Sequence, residues 1–455
     1  MGDKKKVKEI IKNIEKTKNR VASKFDKRFE EKERLFSLVM PVLFGVVFLI
    51  FSVINLKSPV SYNEAYSAYL VRGDFSQVIG ESINSLNPPI FYIVLKMWSS
   101  IFGTSEVAMR FMSIFFGLVS IVVLYQLLKK WFNVKIAISG TFFVAISPMF
   151  IRYAQEIGSY TMMTAITLMV VYFLDSRLDN SKAKKGKKNK NKKLKTVLII
   201  FGAIILSYLP RVIIRLASTK GGEEISGFSM KSPADLVSNV LFYKNAGEVE
   251  SWIAIFGIIT FGAIAYNAYK LFKTTTIKNR TTLSKILILI AIPIILMTVF
   301  SLPPFRGSFI SRDVLFSVVL IWAMVGITIT LTKDKKVKKI LMILMLIVSL
   351  FGIVNVQTRE PESHIKDIMA EVFMVAEEKE PILIGNEEKY YEGVFYSSEK
   401  HPVSRFEGKA EDEKFWYVFN RPKTGEEVEL PEAFSEYYIK SEITLDHYTA
   451  LELSK

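Results

Sequence analysis

The chain lacks cysteine entirely and has only three histidines, His364, His401 and His447, all near its C-terminus. The absence of cysteine excludes a disulfide scaffold, a thiolate metal site and a thiol nucleophile. Acidic residues are almost missing from the apolar stretches of residues 1–356, and histidine does not occur there at all. Any acid–base chemistry in that part of the chain therefore depends on the few carboxylates that lie between the apolar stretches.

Apolar residues and positive charge are both abundant, but they occupy separate places. Of the 455 residues, 50% are hydrophobic and 23% are charged, and the mean hydropathy is +0.27. The 60 Lys and Arg residues outweigh the 44 Asp and Glu residues, which gives a net charge of +16. Because apolar blocks alternate with basic clusters, the sequence predicts a polytopic α-helical membrane protein.

Nine apolar segments are long enough to cross a bilayer, whose hydrocarbon core of ~30 Å requires about 20 residues. We expect these spans at residues 36–56, 108–128, 135–151, 159–176, 196–215, 251–272, 284–302, 314–332 and 338–356. A further apolar stretch at residues 88–102 is shorter and contains Lys96. If it spanned, the lysine-rich loop 177–195 would move outside while the basic N-terminus stayed inside, so we expect an interfacial helix in the first external loop.

The distribution of Lys and Arg predicts the topology, because these residues concentrate on the cytoplasmic side of a membrane. The N-terminal segment 1–35, the lysine-rich loop 177–195 and the other basic clusters fall on one side if nine segments span and 88–102 does not. We therefore expect a multi-pass protein of the plasma membrane with a cytoplasmic N-terminus and an external C-terminus. We assign the lysines to anionic membrane lipids and not to nucleic acid.

The chain divides into three expected regions. The basic segment 1–35 precedes a transmembrane domain at 36–356, which includes a long first external loop at 57–107. The tail, 357–455, is acidic and has the mixed pattern of a small external α/β domain. Its clearest signals are a helical pattern at 367–378 and strand-like runs at 381–385 and 415–419.

The external loops carry charged residues close to the ends of the spans. Glu64 follows the first span and Glu156 follows the third, while Arg152 and Arg312 lie at comparable depth. If the helices form a bundle, a carboxylate can take a proton from an attacking hydroxyl while arginines hold a phosphate. The simpler interpretation of each residue alone is that it caps a helix or reaches a lipid headgroup.

Four short motifs occur in order along the first part of the chain. They are Asn63-Glu64-Ala65-Tyr66-Ser67, then Asn87-Pro88-Pro89-Ile90-Phe91-Tyr92, then Phe102-Gly103-Thr104-Ser105-Glu106 with Arg110, and finally Ser147-Pro148 followed by Tyr153, Gln155 and Glu156. Together they resemble the motifs of GT-C fold membrane glycosyltransferases, namely the bacterial relatives of protein O-mannosyltransferases and of the aminoarabinose transferase of lipid A (family 39-like). The resemblance covers roughly residues 60–176, and a weaker match lies at Ser311-Arg312.

The resemblance implies an inverting transfer of a sugar from a polyprenyl-phosphate donor to an acceptor hydroxyl, with a carboxylate as general base and without a cofactor or metal. The acceptor would be a protein, a lipid or a glycan at the outer face of the membrane. The catalytic positions that it implies are Glu64, Glu156 and Asn63. The positions that it implies for binding the substrate and the lipid phosphate are Arg152, Arg312, Arg110, Asn87, Tyr66, Tyr92 and Gln155.

Three positions depart from the family pattern. Asn63 stands where the family has the acid usually assigned as the base, and Asn87 stands where it has His or Lys before the prolines. Gly158 lacks the positive charge that often follows the Gln-Glu pair. Because an amide does not act as a base, Glu64 or Glu156 takes that role, or the acceptor is unusual, or the chain is a catalytically degenerate paralogue.

Two other classes of function stay open. A transporter or flippase for a lipid-linked sugar needs ionisable or helix-breaking residues at mid-membrane depth, whereas the charges here lie at the ends of the spans. A non-catalytic membrane scaffold would bind a partner through the acidic external domain, and the sequence contains nothing that argues against it.

Overall fold

The computed structural model of the chain describes residues 35–82, 89–183, 232–244, 249–302, 311–360, 364–398, 400–409, 412–420, 430–445 and 448–455. Long helices form the first part, and a small sheet with two helices forms the last. The helices of the first part are α1 (Leu35–Ser52), α2 (Tyr62–Leu70), α3 (Phe75–Ser82), α4 (Pro89–Phe102), α5 (Glu106–Trp131), α6 (Val134–Ala145), α7 (Pro148–Ala154), α8 (Tyr160–Ala183), α9 (Ser232–Phe242), α10 (Ser251–Thr274), α11 (Ile277–Ser301), α12 (Leu315–Leu331) and α13 (Lys335–Gln357). A 3-10 turn, Ser311–Val314, leads directly into α12.

Six of the described helices are long and apolar enough to cross a membrane, namely α1, α5, α10, α11, α12 (extended to Arg312) and α13. The pair α6 and α7 is a seventh candidate, but the two helices are bent by 61° where they meet. The expected span 135–151 is therefore two helices. Pro148 begins the second one, since proline suits the first helical position, where its missing N–H would have no partner.

The remaining expected segments agree with the described helices to different degrees. Segment 159–176 lies in α8, whose 24 residues are long enough to span but include Asp175 and Arg177 and are less apolar than the six helices above. Of segment 88–102, residues 89–102 form α4, a short apolar helix as expected, and its position at the membrane surface stays a prediction. The expected span 196–215 lies outside the described residues, as does most of loop 177–195.

One apolar core joins α1, α5, α6, α7, α12 and α13. Phe48, Phe150 and Trp322 are among its largest fully buried side chains. Gly326 lets α6 and α12 approach closely, since a Cβ at this position would collide with the backbone of Ser139. The Ser139 Oγ donates a hydrogen bond to the Gly326 carbonyl at 3.0 Å across the same crossing. Small residues at such crossings let membrane helices pack backbone to backbone.

The bundle has two ends that differ in their charged residues. The end of α1, the start of α5, α7 and the end of α13 meet at what we call the site end. At the opposite end, the lysine-rich end, Asp175 of α8 pairs with Lys130 Nζ of α5 at 3.0 Å and with Lys285 Nζ of α11 at 3.4 Å. Which end faces the cytoplasm stays a prediction from the positive charges.

After α13 the chain forms the α/β domain expected of the tail. Its elements are α14 (Ile365–Val375), β1 (Ile382–Ile384), α15 (Glu387–Tyr396), β2 (Val403–Arg405), β3 (Lys414–Asn420), β4 (Tyr438–Leu445) and β5 (Tyr448–Ser454). The strand order is β2-β1-β3-β5-β4, with β1 parallel to β2 and β3 and the other pairs antiparallel. Successive residues of β1 face opposite sides of the sheet, so Ile382 and Ile384 pack with α14 whereas Leu383 packs with Phe415.

Helix α15 attaches this domain to the first loop of the bundle. The Tyr391 ring packs against those of Tyr62, Tyr66 and Tyr69 on α2, with centroid distances of 5.8, 5.0 and 5.2 Å. Aromatic contacts of this geometry stabilise a packing interface beyond the area that they bury.

Polar contacts reinforce the same attachment. Tyr396 Oη donates to Glu106 Oε1 at 2.7 Å and accepts the Val60 N–H at 3.0 Å. Lys366 Nζ lies 2.9 Å from the same Glu106 oxygen. The C-terminal domain therefore holds both the start of α5 and the segment between α1 and α2.

Candidate active site

The first element of the site is a buried ion pair between α2 and α5. Arg110 Nε lies 2.8 Å from Glu64 Oε1, and Arg110 Nη2 lies 2.8 Å from Glu64 Oε2. Glu64 is the third residue of α2, so its carboxylate also reaches back to the Ser61 N–H at 3.0 Å in a capping box. The Ile157 N–H donates the fourth hydrogen bond at 2.9 Å. Every lone-pair direction of the carboxylate therefore meets a donor.

These donors determine the charge of Glu64. Burial by itself raises the pKa of the Glu64 carboxyl, but the Arg110 charge and the hydrogen bonds outweigh burial and lower that pKa below its ordinary value. Glu64, which the sequence predicts as a base, is held as an ionised carboxylate whose lone pairs are all engaged.

The remaining N–H groups of Arg110 donate hydrogen bonds to the segment that follows α1. Nη1 donates to the carbonyls of Leu56 at 2.9 Å and Ser58 at 2.7 Å, and Nη2 donates to the Pro59 carbonyl at 3.2 Å. Since the five N–H groups of the guanidinium all have protein acceptors, Arg110 has none left for a phosphate. In place of the predicted phosphate contact, it shapes the loop that borders the site.

The second ion pair lies within and just after α7. Arg152 Nη1 is 2.9 Å from Glu156 Oε2, and both side chains are buried. The Arg152 guanidinium also lies over the Tyr153 and Tyr243 rings, at 5.9 and 5.5 Å from their centroids. Arg312, predicted to join this group, lies over the Tyr160 ring at 5.6 Å.

Arg359 completes the set of arginines, and it lies just beyond the end of α13. Its Nη1 donates to Gln155 Oε1 at 2.8 Å and to the Val356 carbonyl at 2.5 Å, while Gln155 Nε2 donates to the Phe51 carbonyl at 2.9 Å. Burial and then the nearby charge of Arg152 lower the pKa of Arg359 to about 10. Among the described residues Arg359 forms no ion pair, so its charge is not compensated by a carboxylate.

These residues line one cavity of about 170 Å³ at the site end. Its charged lining residues are Glu64, Arg110, Arg152, Arg359 and Glu360, and its polar ones are Asn55, Ser58, Ser61 and Gln155. Guanidinium groups are preferred ligands of phosphate because their planar donors match its oxygens. Glu64 pairs with Arg110 and Glu156 pairs with Arg152, so Arg359 is the guanidinium of the lining that has no ion pair among the described residues and can hold an anion. Glu360 adds one negative charge to the exposed part of the lining.

Several predicted site residues lie elsewhere. Asn63 is exposed on α2 and Arg312 lies over the Tyr160 ring near Glu156, and neither lines the cavity. Tyr66 packs against Tyr391, and burial, followed by neighbouring tyrosines, raises its pKa to about 12. Tyr92 is buried in an apolar cluster of the first loop, and Asn87 lies outside the described residues.

Arg359 and Glu360 are the site residues that the sequence reasoning missed. Both were assigned to the acidic tail, although they directly follow the last span. If the site end is external, as the basic clusters predict, an arginine there is uncommon because the positive-inside tendency disfavours it. The position of Arg359 just after the last span was therefore the signal in the sequence that could have pointed to this residue.

Comparisons with known proteins agree with this architecture. The sequence model of a family described as dolichyl-phosphate-mannose-protein mannosyltransferase matches residues 87–219. The crystal structure of ArnT from Cupriavidus metallidurans in the apo state is similar with a TM-score of 0.53 and 11% identity, and the one bound to undecaprenyl phosphate with a TM-score of 0.52 and 12% identity. Each similarity covers 90% of this chain and 97% of that chain.

A more distant similarity is to the crystal structure of the Archaeoglobus fulgidus oligosaccharyltransferase in complex with Zn and sulfate. Its TM-score is 0.46 at 10% identity, over 80% of this chain and 62% of that chain. No curated protein sequence matches the chain.

The near-complete coverage of both ArnT structures shows that the chain is a multi-pass membrane protein with the GT-C fold of membrane glycosyltransferases. The order of bundle followed by a small C-terminal α/β domain agrees with the fold expected from the sequence. Across the described ranges, no group of three His, Asp or Glu side chains is placed to hold a metal ion.

Proposed function

We propose that the protein transfers a sugar from a polyprenyl-phosphate donor to an acceptor hydroxyl at the outer face of the membrane, with inversion at the anomeric carbon. The observation that carries this proposal is the cavity at the site end, which is lined by Arg110, Arg152 and Arg359, and in which Arg359 forms no ion pair with another described residue. The fold supports it, since ArnT of C. metallidurans has been crystallised with undecaprenyl phosphate. The matching family is described by a dolichyl-phosphate sugar, which is also a polyprenyl-phosphate compound.

The charges of the cavity suit the chemistry of this transfer. When the bond between the anomeric carbon and the phosphate oxygen breaks, the leaving phosphate gains a negative charge. Arg152 and Arg359 line the space where that charge would develop, and fixed donors of this kind stabilise a transition state more than the ground state. The Glu64–Arg110 pair holds the bordering loop in place.

The position of Asn63 also bears on the proposal. The amide at this position suggested a catalytically degenerate paralogue, because the family has an acid there. In the structure the Asn63 side chain is exposed and does not line the cavity. Its lack of a carboxylate therefore does not remove a charge from the site.

The direct test is to incubate the purified protein in lipid nanodiscs with a panel of radiolabelled polyprenyl-phosphate sugars and membrane extracts as acceptors. We expect label to move from the lipid to an acceptor, with release of polyprenyl phosphate. Arg359→Ala should slow transfer by about 10²–10³-fold, as loss of one donor to a developing charge does elsewhere.

The matched control is Lys285→Ala, which removes a positive charge at the lysine-rich end and should leave transfer unchanged. If the intact wild-type protein transfers no sugar from any donor of the panel, the proposed function is wrong.

A further inference from the structure

A hydroxyl acceptor must lose its proton during the transfer, and we propose that Glu360 is the catalytic base that takes it. The inference rests on the proposed function, because it concerns the acceptor side of the same reaction. Two properties separate the candidate acids, namely whether the residue lines the cavity and whether its carboxylate has a lone pair without a donor.

Glu64 is not available for this role. Each of its two oxygens accepts two N–H groups, from Arg110 and Ile157 on one side and from Arg110 and Ser61 on the other. A base must direct a lone pair at the substrate proton from hydrogen-bonding distance. Protonation of Glu64 would also leave the Arg110 guanidinium buried without its counter-charge, which is strongly unfavourable.

Glu156 is not placed for it either. Its carboxylate is buried against Arg152 at 2.9 Å, and Glu156 is not one of the residues that line the cavity. An acceptor would have to displace this ion pair before it could reach the oxygen. Asn63, the third predicted catalytic position, is an exposed amide outside the cavity.

Glu360 differs from Glu64, Glu156 and Asn63 in its position relative to the cavity and in the contacts of its side chain. It lines the same cavity as Arg152 and Arg359, yet it is exposed, so an acceptor can approach it from outside. Its neighbour Arg359 is anchored by Gln155 and the Val356 carbonyl, which fixes the backbone from which the Glu360 side chain extends. Within the described part of the chain, no residue forms a hydrogen bond or ion pair with the Glu360 carboxylate.

A Glu360 oxygen accepts the hydroxyl proton as the acceptor oxygen forms its bond to the anomeric carbon. The bond from that carbon to the phosphate oxygen breaks, and its electron pair stays on the phosphate, beside Arg152 and Arg359. The protonated Glu360 then returns the proton to water at the open side of the cavity.

The first experiment measures transfer by Glu360→Gln, which keeps the shape of the side chain but is not basic. General base catalysis contributes about 10²–10⁴-fold, so we expect kcat to fall by that factor while the binding of undecaprenyl phosphate stays within twofold. Glu360→Asp should keep part of the rate. Glu371→Gln is the matched control, since Glu371 is an exposed acid on α14 of the same domain.

The second experiment separates a base from a residue that only supports the fold. Azide has no proton to lose, so its attack on the anomeric carbon needs no base. We expect Glu360→Ala to form glycosyl azide as fast as the wild-type protein does, although it fails with a hydroxyl acceptor. The charged groups that face Glu360 across the cavity, Arg110, Arg152, Arg359 and Glu64, remain in this variant.

The outcomes distinguish the two proposals. If the wild-type protein transfers sugar and Glu360→Gln keeps the full kcat, Glu360 is not the base and the proposed function stands. Equal loss of hydroxyl and azide transfer in Glu360→Ala also overturns the assignment, because it shows a structural role. Lack of any transfer by the wild-type protein overturns both.

Discussion

The two ends of the helical bundle both hold carboxylates against cationic side chains, but they differ in solvation. At the lysine-rich end, the side chains of Lys130 and Lys285 are 24% and 44% exposed around Asp175. At the site end, Arg110 and Glu64 are only 2% and 4% exposed. Water screens the first group of charges, whereas the second acts at low dielectric.

The two ends differ in where their cations lie as well as in how many there are, and the cations that surround a cavity mark the candidate site. Lysine is far more frequent near the lysine-rich end, where it predicts topology. The site end has few cations, but they surround a cavity, and Arg359 lacks a carboxylate partner among the described residues. A partly buried charge without an ion-pair partner is less well solvated than one in water, and a bound anion would relieve that cost.

The largest difference between the ends is expected in stability. Glu64→Gln removes one partner of a buried pair, and we expect it to lower the free energy of unfolding by about 3–5 kcal/mol. Asp175→Asn should lower it by less, because the lysine partners that it leaves behind are 24% and 44% exposed and stay solvated. Thermal unfolding of both variants in the same detergent measures this, and equal losses would contradict the comparison.

The Glu64 contribution should also depend on pH. The pKa of Glu64 is lowered in the folded protein, whereas in the unfolded chain it should be near its ordinary value of about 4.3. The stabilisation is therefore fully present above the unfolded pKa and is lost as the pH falls through the folded pKa. The difference in melting temperature between wild type and Glu64→Gln should be constant near pH 7 and shrink in acid.

A smaller effect is expected where the C-terminal domain meets the site end. Tyr396→Phe removes a hydrogen bond to the Glu106 carboxylate and an acceptor for the Val60 N–H. Loss of a hydrogen bond to a charged group costs about 1.5–3 kcal/mol. Hydrogen exchange of the amides in residues 57–61 should become faster, while Tyr438→Phe, an exposed tyrosine on β4, should change nothing. Unchanged exchange in Tyr396→Phe would show that the domain does not hold the loop.

The smallest effect is expected from Asn63→Asp, which restores the acid that the family pattern has. Because the side chain is exposed and outside the cavity, we expect the rate of sugar transfer to change by less than about twofold, in line with a surface substitution. A rise of tenfold or more would mean that this position reaches the reacting groups.

Much of the fold follows from the sequence, because hydropathy and length report directly on bilayer crossing. Most of the expected spans coincide with described helices, and the predicted tail elements at 367–378, 381–385 and 415–419 coincide with α14, β1 and β3. The strands β2, β4 and β5 were not predicted. The 61° bend between α6 and α7 was not predicted, because the two helices together are apolar enough for one span and hydropathy carries no information on the direction of a helix axis.

The site was less predictable, for a physical reason. The motifs pointed to Glu64, Arg110, Arg152 and Gln155, and the structure brings all four to one cavity. Their hydrogen bonds, however, depend on backbone groups far away in the sequence, such as the Ile157 N–H that contacts Glu64. Arg359 reaches Gln155 across 204 positions of sequence, and no local pattern carries that information.

On the function proposed above, the cavity at the site end binds a polyprenyl phosphate through Arg359. The most direct test of this binding is the dissociation constant of undecaprenyl phosphate for the wild type, Arg359→Ala and Lys285→Ala in nanodiscs. We predict that Arg359→Ala weakens binding by about 30-fold or more, equivalent to about 2 kcal/mol, while Lys285→Ala stays within twofold of wild type. Wild-type affinity in Arg359→Ala, or equal weakening in both variants, would contradict the account.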